Sequence, residues 1–173
     1  MSTSSFIEQA TAHIERLRQR AADPGVRAAL RHWLSEAARP RSFPALMRIR
    51  GTLKDEDFNT VAALYAYHPD HRANAGNFGA LCSRLSGQNN SFEGRFRRLL
   101  LCDREELHKH LRGPILAARA KKNHPVDYQQ LYLDLRSWDH EFYGDEVRKR
   151  WATDFWVGNV GERVDHTQAA TVQ

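Results

Sequence analysis

The sequence predicts an all-α fold, a compact bundle of about eight helices. Three observations predict it. Apolar residues recur at helical spacing in segment after segment, and no stretch alternates like a half-buried strand. Asp, Asn, Pro and Gly stand where helices need starts and stops. No internal repeat interrupts this order.

The first helix is expected from about Ser5 to Ala22, burying Phe6, Ala10, Ile14 and Leu17. Asp23-Pro24 starts the second, as N-cap and first-turn proline. Val26, Ala29, Leu30, Trp33, Leu34 and Ala37 form its single apolar stripe. Pro40 and Pro44 bracket a connection, after which Phe43–Ile49 reads as a short helix ended by Gly51. Phe58, Val61, Ala62, Leu64 and Tyr65 make the next helical face, stopped at His68-Pro69. Residues 69–76 read as loop. Phe78, Leu81, Cys82 and Leu85 follow at helical spacing, closed by Gly87, and Gly87–Ser91 is a second loop. Phe92, Phe96, Leu99 and Leu100 mark a short helix carrying Arg95, Arg97 and Arg98.

Asp103 and Glu106 match an acidic capping box opening a helix with Leu107, Leu111, Ile115 and Ala118 inside. Gly113-Pro114 is expected to kink or divide it, since proline removes a backbone donor. Asp127 and Gln130 repeat the box spacing before a helix buried through Tyr128, Leu131, Tyr132, Leu135 and Trp138. Val147, Trp151 and Phe155 give the last helix its face. Trp33, Trp138, Trp151 and Phe155 are read as core, while Tyr67, Phe142 and Tyr143 sit at element ends. The expected organisation is one helical nucleic-acid-binding domain over 1–158 and a polar, flexible tail over 159–173.

The 173 residues suit one domain large enough to need no metal or disulfide staple. No apolar run approaches a membrane span and residues 1–20 lack a secretory pattern. Cys82 and Cys102 form no framework, which fits a reducing, cytoplasmic location. The net charge is +5, built from 21 Arg and only 5 Lys against 21 acidic residues. A GC-rich genome would produce that ratio, and so would a phosphate-binding surface, because the guanidinium fork suits phosphate. Position separates the two. Residues 72–122 hold 11 basic and 4 acidic residues, net +7, while residues 123–158 are net −3. Codon habit predicts no such segregation, whereas contact with a polyanion does.

Within the helices, Arg27 and Arg31 are spaced i, i+4 opposite the Val26/Leu30/Trp33 stripe. Arg95 and Arg98 are i, i+3, as are Arg119 and Lys122, with Lys121 adjacent. Arg112 has no acidic residue three or four positions away. The competing reading of such spacing is a solvated helix face, or an ion pair such as Arg148 with Asp145. No catalytic or cofactor signature appears: HExxH, CxxC, GxxxxGK, GxGxxG and GxSxG are all missing. His68, Asp70 and His71 would need a fourth ligand to make a metal hydrolase. A non-enzymatic binding module without metal or cofactor is therefore expected. The alternative, a free-standing DNA- or RNA-binding regulator, needs a recognition helix, and no helix-turn-helix pattern is evident.

Three blocks carry a family resemblance: Asn77–Gly87, Glu93–Arg112, and Val126–Trp138 followed by Val147–Asn159. Arg31–Arg50 fits more loosely. In order and spacing, over roughly 25–158, the chain resembles CasB, the small subunit of the type I-E CRISPR Cascade complex. The resemblance implies a helical, non-catalytic protein in antiviral defence. It implies a second copy of the chain, the backbone and large subunits, crRNA and target DNA as partners. The role implied is to stabilise the R-loop and hold the displaced strand through basic residues, sequence reading being left to guide pairing. Arg95, Arg104 and Arg112 match basic positions of the second block, and Arg27 and Arg31 lie in the basic N-terminal region. Some members carry Arg where this chain has Ala80 and Gly113. Arg84, Arg98, Arg119, Lys121 and Lys122 are added to the candidate set by charge alone.

Overall fold

Side-chain caps decide where most of the helices begin. The computed structural model describes residues 3–87 and 89–169, and side chains between 4 and 158. After α1 (Thr3–Arg20), Asp23 accepts the Gly25 N–H at 2.7 Å and opens α2 (Pro24–Arg31). Two 3-10 segments, His32–Leu34 and Arg39–Ser42, lead into α3 (Phe43–Arg50), which ends at Gly51 with φ 77°. Asp55 accepts the Phe58 N–H at 3.1 Å ahead of α4 (Glu56–Tyr67). Asn77 and Asn89 cap α5 (Phe78–Ser86) and α6 (Asn90–Leu101) through the Ala80 and Ser91 N–H groups. Asp103 caps α7 (Arg104–Ala120) through Glu106, and Asp127 caps α8 (Tyr128–Ser137) through Gln130. Each cap satisfies a donor that the helix cannot satisfy itself. The chain closes with α9 (Tyr143–Ala169). Among the described residues the all-α expectation holds, with nine α-helices and one isolated bridge, His71 to Val126. None of these helices is long and apolar enough to cross a membrane.

Four local expectations change. The stripe through Ala37 does not make one helix: α2 stops at Arg31 and Ala37 is exposed. The reason is Trp33. Its indole N–H donates to Thr60 at 3.3 Å, while Arg39 donates to the Trp33 carbonyl at 3.1 Å and lies over the ring. That carbonyl is spent on a side chain instead of the helical ladder. The loop after Gly87 is shorter than read, because Asn89 already caps α6. Gly113-Pro114 does not divide α7, whose inward stripe of Leu107, Leu111, Ile115 and Ala118 stays buried across the proline. Phe6 is exposed, with the Arg136 guanidinium 5.8 Å from its ring centre.

The core is organised around α4. Phe58, Asn59 and Val61 through Ala66 are all buried, so this helix has almost no water-facing side. A helix apolar all round must be covered all round. Helices α2, α7 and α8 and the first 3-10 segment do this. Phe58 meets Tyr132 of α8 edge-on at 5.9 Å, and Tyr65 meets Tyr128 at 5.3 Å. The Tyr128 hydroxyl donates to the His68 carbonyl at 2.6 Å at the end of α4.

A second aromatic group joins α5, α6, α8 and α9. Trp151 lies 5.3 Å from Phe78 and 5.1 Å from Trp138, and Phe96 stacks on Phe155 at 4.1 Å. Buried Asp134 of α8 accepts the Trp151 indole N–H at 2.7 Å, the Gln130 amide at 2.8 Å and Arg150 at 2.9 Å. So α8 serves both groups. Close approach of α5 and α9 requires glycine: a Cβ on Gly79 would sit 2.0 Å from the Trp151 carbonyl oxygen, and one on Gly158 would sit 2.3 Å from Ser83 Oγ. Gly158 is therefore a packing residue within α9. Of the tail expected over 159–173, side chains lie outside the described residues, as do residues 170–173 entirely.

Gly79→Ala is expected to destabilise the protein by about 2–3 kcal/mol or more, because the obstacle is backbone. Gly94→Ala in α6, where nothing lies within 4 Å, is expected to stabilise it by about 0.5–1 kcal/mol. Urea titrations of the two variants against the parent chain check both signs.

Candidate nucleic-acid interface

The ten basic candidates fall into two groups, with Lys121 between them, once their hydrogen bonds are traced. Four guanidiniums are bound into the fold. Arg27 donates to the Ala21 and Ala22 carbonyls at 2.7 and 3.0 Å, closing the C-terminal end of α1. Arg31 donates through Nε to the Ala66 carbonyl at 2.9 Å. Arg84 reaches Ala75 at 3.1 Å and Pro125 at 3.3 Å, tying two loops to α5, and burial pushes its pKa below the ordinary arginine value. Arg104 pairs with Asp57, lies 3.6 Å from Asp139 and donates to the Leu135 carbonyl at 3.3 Å. Lys121 is intermediate: exposed along its length, with its ammonium on the Leu85 carbonyl at 2.9 Å.

The other five stand outward. In α6, Phe96 and Leu99 point into the core, which turns Arg95 and Arg98 to solvent. In α7, the buried Leu107, Leu111, Ile115 and Ala118 put Arg112 and Arg119 on the opposite face, and Lys122 follows just beyond the helix end. The side chains of Arg95, Arg98, Arg119 and Lys122 have no intramolecular partner among the described residues. Arg112 lies over the Tyr67 ring, 5.2 Å from its centre, and has no hydrogen-bond or ion-pair partner among the described residues. By contrast Arg97, on the same turn as Arg98, is paired with Glu93 at 2.7 Å and packs 5.9 Å from Trp156.

The sequence reading did not single out every outward cation. The side chains of Arg20, Arg41 and Arg72 are also exposed and without a partner among the described residues. Their signal was available only as charge count. Arg148, for which an ion pair with Asp145 was the competing reading, donates to the Leu100 and Trp138 carbonyls, and Lys149 takes Asp145 at 2.7 Å. One ring nitrogen each of His68 and His71, and the Asp70 main chain, are engaged in the fold. His68 Nε2 lies 2.8 Å from the His124 carbonyl, His71 Nδ1 accepts the Tyr128 N–H at 3.2 Å, and the Asp70 carbonyl accepts the Val126 N–H at 2.9 Å. These bonds join the 68–77 loop to the start of α8. Both cysteines are buried, and burial pushes the Cys102 thiol up to about 11.

An open polar cleft of about 550 Å³ lies beside α4, lined by Arg50, Lys54, Asp55, Asp57, Arg104 and Arg136 among others. Its arginines are committed. Asp55 takes the Tyr132 hydroxyl at 2.6 Å and Arg50 at 3.1 Å, while Arg136 donates to the Tyr132 oxygen at 3.0 Å. This cluster ties α3, α4 and α8 and leaves little cation free for a ligand.

A family model described as CRISPR-associated protein Cse2 matches residues 26–156. The chain belongs to the Cse2 family. A search of curated proteins finds no match. Among solved structures, a Cse2-family CRISPR-associated protein of Thermus thermophilus superposes with TM-score 0.71 at 24% identity, over 85% of this chain and 97% of that one. CasB of M. ruber gives 0.67 at 23%, over 94% and 98%. A chain of a structure described as a CRISPR RNA-guided surveillance complex gives 0.71 at 23%, over 95% and 99%. At these identities the structures show a shared fold. The CasB resemblance in the sequence is thus met by the Cse2 family and by the CasB fold.

Burial disfavours the Asp55 carboxylate, but hydrogen bonds from Tyr132, the Phe58 N–H and Arg50 outweigh it and hold its pKa below the ordinary 3.8. A carboxyl with a lowered folded pKa stabilises the fold above 3.8 and loses that contribution as pH falls through its folded value. The stability advantage of the parent chain over Asp55→Asn is therefore expected to shrink as pH is lowered below 3.8. Chemical denaturation of both at stepped pH reads this directly.

Proposed function

We propose that this Cse2-family chain is the non-catalytic small subunit of a type I-E CRISPR surveillance complex. In this reading it stabilises the guide RNA/target DNA R-loop and the displaced strand by contacting phosphates. The observation that carries it is the set of outward cations on α6, on α7 and just beyond its end: Arg95, Arg98, Arg112, Arg119 and Lys122, lacking carboxylate partners among the described residues, in the segment of net +7. Phosphate contacts give sequence-tolerant, salt-sensitive binding, and tethering in a complex raises the effective concentration at which weak contacts act. The described residues offer no group of three or more His, Cys, Asp or Glu able to hold a metal ion, and their thiols are buried. In this proposal the chain contributes no chemistry of its own.

The similarity to a chain of an RNA-guided surveillance complex supports assembly with other subunits, crRNA and target DNA. A second copy of the chain and a cytoplasmic location belong to the same proposal. Arg27, Arg31, Arg84 and Arg104 enter as scaffolding here in that each spends at least one donor on a carbonyl or carboxylate of the chain itself.

Arg95→Ala combined with Arg112→Ala is expected to shorten R-loop lifetime on the assembled complex. The melting temperature of the isolated chain should stay within a degree or two, because both side chains are exposed. Single-molecule lifetimes on matched target DNA supply the readout, and unchanged lifetimes count against this contact set.

A further inference from the structure

The turn between α8 and α9 is tightly built, yet it turns its largest side chains to water. His140 Nδ1 accepts the N–H groups of Phe142 and Tyr143, both at 3.3 Å, and the His140 carbonyl accepts the Gly144 N–H at 2.8 Å. Glycine is required at 144, because a Cβ there would sit 2.2 Å from the Trp138 carbonyl oxygen. The Tyr143 ring lies 4.6 Å from the His140 ring and meets Phe142 edge-on at 5.4 Å. Even so, Phe142 is 65% exposed and Tyr143 is 56% exposed. Leu101, the last residue of α6, is 86% exposed at the same end of the bundle. Arg148 of α9 holds the two places together, donating to the Leu100 carbonyl at 3.2 Å and to the Trp138 carbonyl at 3.1 Å. The Trp138 indole adds a bond to the Cys102 carbonyl at 3.3 Å.

A single exposed apolar side chain is ordinary. Three at one end of a bundle, two of them aromatic and carried on an ordered turn, have the composition of a contact surface. The charge around them says what kind of partner fits. Residues 138–147 hold four acidic residues and no Lys or Arg. Asp145 and Glu146 lie in the first turn of α9, where the helix dipole favours them, and Lys149 pairs with both. Asp139 and Glu141 lie outside both helices and have no such reason to be acidic. Asp139 has Arg104 at 3.6 Å, and Glu141 has no cation partner among the described residues. A phosphate backbone is repelled from this end, which favours a protein surface over nucleic acid. A partner's Lys or Arg would find a carboxylate and an aromatic ring on adjacent exposed residues, Glu141 and Phe142. We propose that the α8–α9 turn, with Leu101, docks a protein partner through a patch in which Lys or Arg flanks apolar side chains. The docking rests on the subunit reading above and gives it a protein-facing surface distinct from the cations of α6 and α7.

The test adds the labelled full chain back to the surveillance complex purified without it and follows binding by anisotropy. Leu101→Ser combined with Phe142→Ser is expected to weaken binding about tenfold or more, and Phe142→Tyr to bind like the parent. Glu141→Lys should weaken binding several-fold and flatten its salt dependence. These side chains are exposed, so the variants should keep the parent's melting temperature. Should the double variant not fold, Glu141→Lys decides alone. Val157→Ser, on α9 and also at a 65% exposed position, is the control and should bind like the parent. A loss there as large as in the double variant would make the effect general apolar stickiness and overturn the proposal. Two further measurements use the chain alone. Self-association lost in the double variant, read by sedimentation, would give the surface to a second copy. Weaker binding of oligothymidylate by the double variant would give it to nucleic-acid bases. Either result overturns the proposal. If the parent chain does not bind the complex, the subunit reading itself falls, and the docking surface with it. Normal binding by the parent with unchanged variants removes the docking surface only.

Discussion

Helix α4 must be covered on every side, and the rest of the fold answers that constraint. From Phe58 to Ala66 only Thr60 is not fully buried, and its hydroxyl takes the Trp33 indole. Exposing such a helix on any face would return large apolar area to water, at roughly 25 cal/mol for each Å². Helices α2, α7 and α8 are therefore pinned around it, and their outward faces are set by where their inward stripes must point. The cations of α7 face solvent because Leu111, Ile115 and Ala118 face α4 and its surroundings. The core and the outward cations are two sides of one packing solution.

The arginines show how that solution sorts chemically identical residues. Arg97 and Arg98 are neighbours on α6, yet one is locked to Glu93 and Trp156 and the other is free of any described partner. Arg27, Arg84 and Arg148 close helix ends or loops by donating to carbonyls. A guanidinium has five donors and tolerates such use, whereas an ammonium would lose much of its hydration for a single contact. The high Arg count thus serves two ends: internal stitching of loops and helix termini, and a surface charge left unneutralised along α6 and α7. The second use is the one that fits a polyanionic partner.

Much of the fold was legible in the chain. Asp23, Asp103 and Asp127 cap the helices that their spacing announced, and Trp138, Trp151 and Phe155 lie in the core as their stripes required. The misreadings share a cause. The Val26–Ala37 stripe broke because Trp33 and Arg39 make bonds to partners outside their own helix. Pro114 failed to divide α7 because the buried stripe spans it. In each case a long-range contact overruled a local preference. The site was less legible than the fold, because charge spacing cannot reveal that Arg104 is taken by Asp57 or that Arg112 meets Tyr67.

By itself the sequence determined the helical period, most of the helix starts, the aromatic core set, and the concentration of +7 between residues 72 and 122. These are properties of neighbours within a few positions, or sums over a segment, and such terms are written in the chain directly. Only the tertiary structure decided that α4 is buried on all sides and that glycine at 79 and 158 lets α5 and α9 touch. It also decided which five of ten candidate cations stay outward. Each of those depends on atoms brought together from distant parts of the chain, where the energy of burial and pairing is set by the partner and not by the residue.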